Sequence, residues 1–296
     1  MCYYIKSDKI MTGEQNGERK MYIISAVLEK ERSKVALFDK DYRLLSQKEA
    51  VSANPSGLCL DMMSENGIRP TDVKYIGIAV DQSVATAAAA DEMEQSIGIP
   101  CLAASLMGAR ALGEAYTAND IPFLCMLKID DTVECGIVVD KKIYSGTNQM
   151  GGRVAHIIIN LGGYECTCGR QGCFEAYASN AGLKRIAAES GVADVESLTH
   201  ATLFAMHTPA AEQAKKLYVE YLASGITDII NLFQPHELVL EGAFAEAGDA
   251  LLAPMMDIIL REQYTHSVPN KCTIRFPHNG TDTALLGAAL LGRHNP

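Results

Sequence analysis

Three features are missing from this chain of 296 residues. It has no run of about 18 apolar residues, the length that a membrane-spanning helix needs. Residues 1–20 lack the apolar stretch of a secretory signal peptide. Positive charge is scarce, since 26 Lys and Arg stand against 36 Asp and Glu and the net charge at pH 7 is −10. Because nucleic acids and anionic membranes are bound through Lys and Arg, we expect a cytoplasmic protein that contacts neither.

The composition is that of a globular protein, with 48% hydrophobic and 21% charged residues. From Met21 onward, short apolar runs such as VKYIGIAV alternate with amphipathic segments of helical period. Near Ile121 the series of strands starts again, which indicates two related halves. This alternation predicts an α/β architecture in two lobes. The predicted parts are a polar tail (1–20), an N-terminal lobe (21–120) completed by a C-terminal helix (281–296), and a C-terminal lobe (121–280).

Three of the nine cysteines crowd into one short segment, residues 156–175, which begins with a histidine. Cys166 and Cys168 are followed by Cys173, and His156 stands ten residues before the first thiol. Three thiolates and one imidazole form a standard ligand set for tetrahedral zinc, and the interleaved glycines allow a tight fold. Four protein ligands would close the site, so the zinc would be structural. The alternative is three packed thiols beside an unrelated histidine.

The same segment shows a family resemblance. CTCGRQGCFE resembles the Cys-x-Cys-Gly-x-x-Gly-Cys-x-Glu signature of the ROK family, which groups bacterial sugar kinases with sugar-responsive repressors. Further similar stretches are YIGIAV, GIPCLAASLMGARALGEAY, NLFQPHELVLEGAF and TALLGAALLG. The resemblance implies a two-lobed actin-like ATPase (ribonuclease H-like) fold with a cleft between the lobes, and usually a homodimer. It also implies that zinc is held by His156, Cys166, Cys168 and Cys173.

Both phosphate-binding turns of the family are altered in this chain. At the first turn, Asp-x-Gly-Gly-Thr in the family, residues 27–31 read VLEKE, so that charged side chains replace both glycines. At the second, glycine-rich turn, residues 130–136 read DDTVECG. The acidic side chains there predict a solvated hairpin tip. The alternative is a magnesium site built from Asp130, Asp131 and Glu134, because hard cations prefer carboxylate oxygens.

The catalytic base of the family is also replaced. The resemblance places Leu106 where the family has the Asp that accepts the proton of the attacking hydroxyl. General-base catalysis contributes about 10² to 10⁴ in rate, and leucine cannot accept a proton. The sequence therefore predicts no catalytic residue.

Positions that contact the sugar in the family are partly retained. His156 and Glu175 are kept, whereas Arg153 replaces a sugar-binding Glu, Ser105 replaces an Asn, and Asp81 lies in an altered loop. These five residues are the candidate ligand-binding residues. The guanidinium of Arg153 favours a carboxylate or phosphate on the ligand, and the alternative is a surface arginine paired with Glu175.

These patterns lead to three hypotheses. The first is a non-catalytic homologue that binds a small molecule, a sugar or sugar derivative, in the cleft between the lobes. The second is an active ATP-dependent sugar kinase, glucokinase-like and acting on a hexose or N-acetylhexosamine, which would use ATP and magnesium and replace the base by Asp81 or Glu175. The third is a sugar-responsive regulator, disfavoured because twenty residues cannot hold a helix-turn-helix domain and the remainder is acidic.

Overall fold

The computed structural model describes residues 4–6, 20–29, 32–51, 54–81, 85–262, 272–278 and 282–293. The chain forms two compact units. The first comprises Met1–Pro122, Gly136–Gln149 and His278–Pro296, and the second comprises Phe123–Cys135 and Met150–Pro277. Each unit therefore consists of segments that are separated along the chain.

The first unit contains a six-stranded sheet in the order β1-β4-β3-β2-β5-β6. Strands β1 to β4 pair antiparallel, and β2, β5 and β6 pair parallel. The strands are β1 (Tyr4–Lys6), β2 (Tyr22–Leu28), β3 (Arg32–Phe38), β4 (Leu44–Val51), β5 (Val73–Val80) and β6 (Cys101–Ser105). The helices are α1 (Pro55–Glu65), α2 (Thr86–Ile97), α3 (Leu106–Thr117) and α9 (Thr283–Ala289), with 3₁₀ turns at Pro70–Asp72 and Leu290–Gly292.

The core of this unit follows from the apolar strands that the sequence predicts. Ile24, Ile76 and Ile78 are fully buried, and they belong to a cluster that also includes Met62 of α1 and Met93 of α2. At the opposite end of the chain, α9 lies directly on β5. A Cβ atom on Gly77 would lie 1.8 Å from the carbonyl oxygen of Ala288, so glycine is required for this close approach.

The second sheet has the strand order β11-β10-β7-β8-β9. Strands β7, β10 and β11 are parallel, and β8 pairs antiparallel with β9. The strands are β7 (Phe123–Ile129), β8 (Val133–Val139), β9 (Lys142–Ile143), β10 (Glu237–Gly242) and β11 (Thr273–Arg275). The chain passes from the second unit into the first within β8.

The helices of the second unit come mainly from one long stretch of helical sequence. They are α4 (Glu175–Ala178), α5 (Asn180–Glu189), α6 (His200–Ala205), α7 (Pro209–Phe233) and α8 (Asp249–Glu262), with 3₁₀ turns at Val154–His156, Val195–Ser197 and Ala243–Ala247. Thr208 caps α7 by accepting a hydrogen bond from the backbone N–H of Ala211. Across the described ranges, no helix is both long enough and apolar enough to cross a membrane.

The segmentation differs from the predicted boundaries in two places. Tyr4–Lys6 forms a strand paired with β4, although the sequence predicts a polar tail over residues 1–20. Residues 136–149 belong to the first unit, although the sequence predicts a C-terminal lobe that begins at residue 121. Within this segment, the Lys141 ammonium lies 2.7 Å from the Asp120 carboxylate of the first unit, and its backbone N–H donates to the carbonyl of Pro122.

Candidate functional site

The structure brings the predicted metal ligands together in one loop. The ligand atoms of His156, Cys166, Cys168 and Cys173 all lie within 4.8 Å of one another. The Sγ atoms of Cys168 and Cys173 are 3.7 Å apart, and Cys166 Sγ is 3.6 Å from His156 Nδ1. Tetrahedral zinc with Zn–S bonds of about 2.3 Å places two sulfurs roughly 3.8 Å apart. The four side chains therefore fit a zinc ion, with Nδ1 as the histidine ligand atom.

The loop reaches this geometry through tight backbone turns. The Cys166 N–H donates to the carbonyl of Arg170, and the Gly169 N–H donates back to the carbonyl of Cys166. Gly172 has a φ of 82°, and a Cβ atom there would lie 1.8 Å from the carbonyl oxygen of Asn160. Only glycine fits this position, which explains why glycines alternate with cysteines in the sequence.

The thiols of the loop differ in electrostatic environment. A hydrogen bond from the backbone of Arg170 lowers the pKa of the exposed Cys168 thiol. Burial raises the pKa of Cys173 to about 12. A bound metal cation would deprotonate both thiols, because a coordinating thiol loses its proton to the metal's charge.

Glu175 connects the metal loop to the hairpin between β7 and β8. Its carboxylate is buried, with Oε1 accepting a hydrogen bond from the Thr167 hydroxyl at 3.1 Å and Oε2 accepting one from the backbone N–H of Val133 at 3.0 Å. Cys166 Sγ lies 3.8 Å from the same carboxylate. Arg153 is exposed, and the contact recorded for it within the described part of the chain is with Met150 Sδ at 3.2 Å. The structure thus shows no Arg153–Glu175 pair among the described residues.

The hairpin at residues 130–133 is held by hydrogen bonds from three other segments. The Asp130 carboxylate accepts from the backbone N–H of Ala243 at 2.7 Å and lies 3.4 Å from the Lys128 ammonium. The Asp130 carbonyl accepts from the N–H of Asn180, whose side chain donates to the Asp131 carboxylate at 2.8 Å. The two Asp carboxylates are thus engaged by N–H donors. This arrangement does not support the magnesium alternative, which needs their oxygens for the cation.

The first hairpin, between β2 and β3, closes through its backbone. The N–H of Glu29 donates to the carbonyl of Arg32 at 3.0 Å, and the N–H of Arg32 donates back at 3.3 Å. Reciprocal bonds of this kind join the two strands at the closed end of a β-hairpin. Lys30 and Glu31, which the sequence analysis places in the first turn, lie outside the described residues.

Leu106, which the resemblance assigns to the position of the family's base, lies at the start of α3. Ser105 caps this helix, since its hydroxyl accepts a hydrogen bond from the N–H of Gly108, and Leu106 is the first helical residue. Val80 is the register partner of Ser105 in the neighbouring strand, so Asp81 follows at the same edge of the sheet. The structure therefore brings Ser105 and Asp81 together in the first unit. In the second unit, Cys166 Sγ lies 3.6 Å from His156 Nδ1 and 3.8 Å from the Glu175 carboxylate.

Three partners of these sites escaped sequence reasoning: Lys128, Asn180 and Ala243. Ala243 had a signal, because residues 241–243 read EGA where members of the ROK family, which the sequence resembles, have a run of glycines. Asn180 and Lys128 had none, since they are ordinary polar residues in the sequence. Both residues act through contacts with the hairpin at residues 130–133. For Asn180, this hairpin lies far away along the chain.

The two-sheet α/β fold and the loop that holds His156 and the three cysteines are features of one protein family. Comparison with known proteins identifies that family. The chain belongs to the ROK family, whose model matches residues 63–295. It has the actin-like ATPase fold, as do the ROK sugar kinases. The crystal structure of a ROK hexokinase from Thermus thermophilus is similar with a TM-score of 0.79 and 23% identity, over 92% of this chain and 98% of that one.

Curated relatives include both enzymes and repressors. A glucokinase of Halalkalibacterium halodurans is 28% identical over 219 residues, which is 68% of this chain and 66% of the relative. A xylose repressor of Bacillus spizizenii is 26% identical over 197 residues, which is 65% of this chain and 46% of the relative. The match thus spans about two thirds of the glucokinase and less than half of the repressor. The chain is a homologue of ROK sugar kinases and repressors.

Proposed function

We propose that this chain is a non-catalytic ROK homologue that binds a sugar or sugar derivative and acts as a ligand-binding or regulatory protein. The observation that carries the proposal is the pair of reciprocal backbone hydrogen bonds between Glu29 and Arg32, at the ends of β2 and β3. A kinase must surround the phosphates of ATP with free backbone N–H groups and magnesium. The loop uses the backbone N–H groups of Glu29 and Arg32 for its own closure.

The start of α3 supports the same proposal. Leu106 stands at the position of the family's base, and the Ser105 hydroxyl beside it caps the helix. A general base has to lie within hydrogen-bond reach of the proton that it abstracts, and leucine offers no acceptor. The second turn adds to this, because the carboxylate of Asp130 occupies the N–H of Ala243.

For the ligand, we propose a small molecule with a negatively charged group. His156, Glu175, Arg153, Ser105 and Asp81 are its candidate contacts. The exposed guanidinium of Arg153 suits a carboxylate or phosphate, which favours a sugar acid or sugar phosphate over a neutral sugar. We further propose a structural zinc at the four-residue cluster, a homodimer, and a cytoplasmic protein without nucleic-acid or membrane partners.

The deciding experiment measures sugar-dependent ATP consumption by the metal-loaded protein. A panel of hexoses and N-acetylhexosamines is offered with magnesium and ATP, and the glucokinase of Halalkalibacterium halodurans is assayed beside it. We expect no turnover above background. In parallel, sugar acids and sugar phosphates should raise the melting temperature, since a ligand that binds only the folded state stabilises it. Robust sugar-dependent turnover would overturn the proposal.

The second candidate function is an active kinase that uses ATP and magnesium with an unusual base. Asp81 is the candidate, because it lies at the same sheet edge as Ser105. Glu175 is less suited, since both its carboxylate oxygens already accept hydrogen bonds. If turnover is found, Asp81→Asn should abolish it, and unchanged turnover would exclude Asp81 as the base.

A third candidate, a sugar-responsive regulator, is favoured by the similarity to the xylose repressor. Gel-shift experiments with genomic fragments test it directly. We expect no shift, because the net charge of −10 opposes binding to DNA.

A further inference from the structure

The carboxylate of Asp130 occupies a special position between two strands. The parallel pairing of β7 with β10 runs in register as far as Ile129 and Gly242. One residue further on, the N–H of Asp130 turns away to the carbonyl of Thr132. The Asp130 carboxylate then accepts a hydrogen bond from the backbone N–H of Ala243 at 2.7 Å. A side-chain oxygen thus replaces the backbone acceptor at this step.

Gly242 makes this reach possible. It has a φ of 139°, and a Cβ atom there would lie 1.9 Å from the carbonyl oxygen of Ile129. The ends of the two strands therefore approach more closely than any other residue would allow at this position. As a result, the short Asp130 side chain spans the gap to the backbone of the neighbouring strand.

The other carboxylate oxygen of Asp130 faces a positive charge. Its Oδ2 atom lies 3.4 Å from the Nζ atom of Lys128, whose side chain is about one-third exposed. The carboxylate thus has a backbone N–H on one side and an ammonium on the other. These are the two kinds of donor that bind an oxyanion such as phosphate.

We propose that Asp130 is an internal counter-anion, which closes the hairpin at residues 130–133 to phosphate by occupying the Ala243 N–H and the Lys128 ammonium. The inference rests on the proposed function, because it gives a cause for the failure of this turn to accept a phosphate group. It predicts that a single substitution exposes a latent oxyanion site in the second unit.

The test uses the full chain, with inorganic phosphate as the probe. Phosphate affinity is measured by calorimetry at constant ionic strength for the wild type, Asp130→Ala and Asp131→Ala. Asp131→Ala is the matched control, because it removes the same charge from the same hairpin but leaves the Ala243 N–H occupied. We expect Asp130→Ala to bind phosphate about tenfold or more tightly than the wild type, because the bound phosphate gains one charge-assisted hydrogen bond. Asp131→Ala should match the wild type.

A double variant, Lys128→Ala with Asp130→Ala, locates the gained site. This double variant should lose the increase in phosphate affinity that Asp130→Ala shows. A double variant that keeps the increased affinity would overturn the inference. Equal phosphate affinity for folded Asp130→Ala and Asp131→Ala would also overturn it. If Asp130→Ala does not fold in chloride, recovery of the folded state in phosphate supports the inference and lack of recovery contradicts it.

The inference and the proposed function fail separately. Sugar-dependent ATP consumption by the wild type would refute the proposed function, even if Asp130→Ala gained phosphate affinity. A wild type without turnover, combined with no gain in Asp130→Ala, would refute the inference alone. An added arm with ADP distinguishes a general oxyanion site from one that needs a nucleotide.

Discussion

The hairpin between β2 and β3 and the hairpin between β7 and β8 close in different ways. The loop between β2 and β3 is closed by its own backbone, through the hydrogen bonds of Glu29 and Arg32. The loop between β7 and β8 has a backbone bond from Asp130 to Thr132 and is also tied to other segments by side chains, with Asp130 bonded to Ala243 and Glu175 bonded to Val133. A backbone closure survives substitution of its side chains, whereas a side-chain closure does not. The second hairpin should therefore be the one that responds to mutation and to removal of the proposed zinc.

Removal of the proposed zinc should have the largest effect. Because Glu175 joins the metal loop to Val133, we expect chelation to raise deuterium uptake at residues 130–135 and leave residues 32–38 unchanged. Structural zinc contributes about 10 kcal/mol or more in small zinc domains, so melting should fall sharply. Cys173→Ser should reproduce the effect, and Cys272→Ser, outside the cluster, should not. Equal changes in deuterium uptake in both hairpins would show that the hairpin between β7 and β8 does not depend on the metal more than the other.

Acid should weaken the second unit through His200. This side chain is buried, its Nε2 lies 2.8 Å from the Tyr218 hydroxyl, and burial lowers its pKa from 6.5 to about 4. In the unfolded chain His200 binds a proton near pH 6.5, whereas in the folded protein it stays neutral. The contribution of His200 to the free energy of unfolding is therefore complete above pH 6.5 and is lost as the pH falls toward 4. The shift corresponds to about 3 kcal/mol. Denaturant unfolding between pH 7 and 4 should show a smaller loss for His200→Gln than for the wild type, and equal losses would contradict the assignment.

Substitution of Glu175 should have an intermediate effect. Glu175→Ala leaves the buried N–H of Val133 without its acceptor, which should cost about 1.5–3 kcal/mol. Glu175→Gln keeps an oxygen at that place and should cost less. The free energy of unfolding in urea measures both variants. Equal values for the two would show that the hydrogen bond to Val133 contributes little.

Substitution of Arg32 should have the smallest effect. Its guanidinium pairs with Glu49 at 3.2 Å, but the side chain is 61% exposed. Exposed ion pairs contribute about 0–1 kcal/mol, and the backbone bonds to Glu29 do not depend on the side chain. Arg32→Ala should therefore lower the free energy of unfolding by less than Glu175→Ala, in the same urea experiment. A larger loss for Arg32→Ala than for Glu175→Ala would contradict the expected difference between the two hairpins.

Local patterns in the sequence predicted the elements that depend on neighbouring residues. The spacing of His156 and the three cysteines identified a cluster that the structure brings together, and the family resemblance predicted a fold that is confirmed. Leu106, which the resemblance assigns to the position of the family's base, is the first residue of α3.

Partners distant in the chain could not be predicted in this way. The contact of Asp130 with Ala243 joins residues 113 positions apart, and no local period records it. The strand at Tyr4–Lys6 depends on pairing with β4, which overrides the polar character of its surroundings. The division at residue 136 was missed for a similar reason, because Lys141 makes its contacts with Asp120 and Pro122 in the preceding segment.

The close approach of α9 to Gly77 has a consequence for biosynthesis. Strand β5 leaves the ribosome early, yet the surface that Gly77 offers stays uncovered until Thr283–Ala289 has been translated. The second unit is composed of residues that all precede this segment. We therefore expect the nascent chain to complete its second unit first, and to need protection of the first until translation is nearly finished.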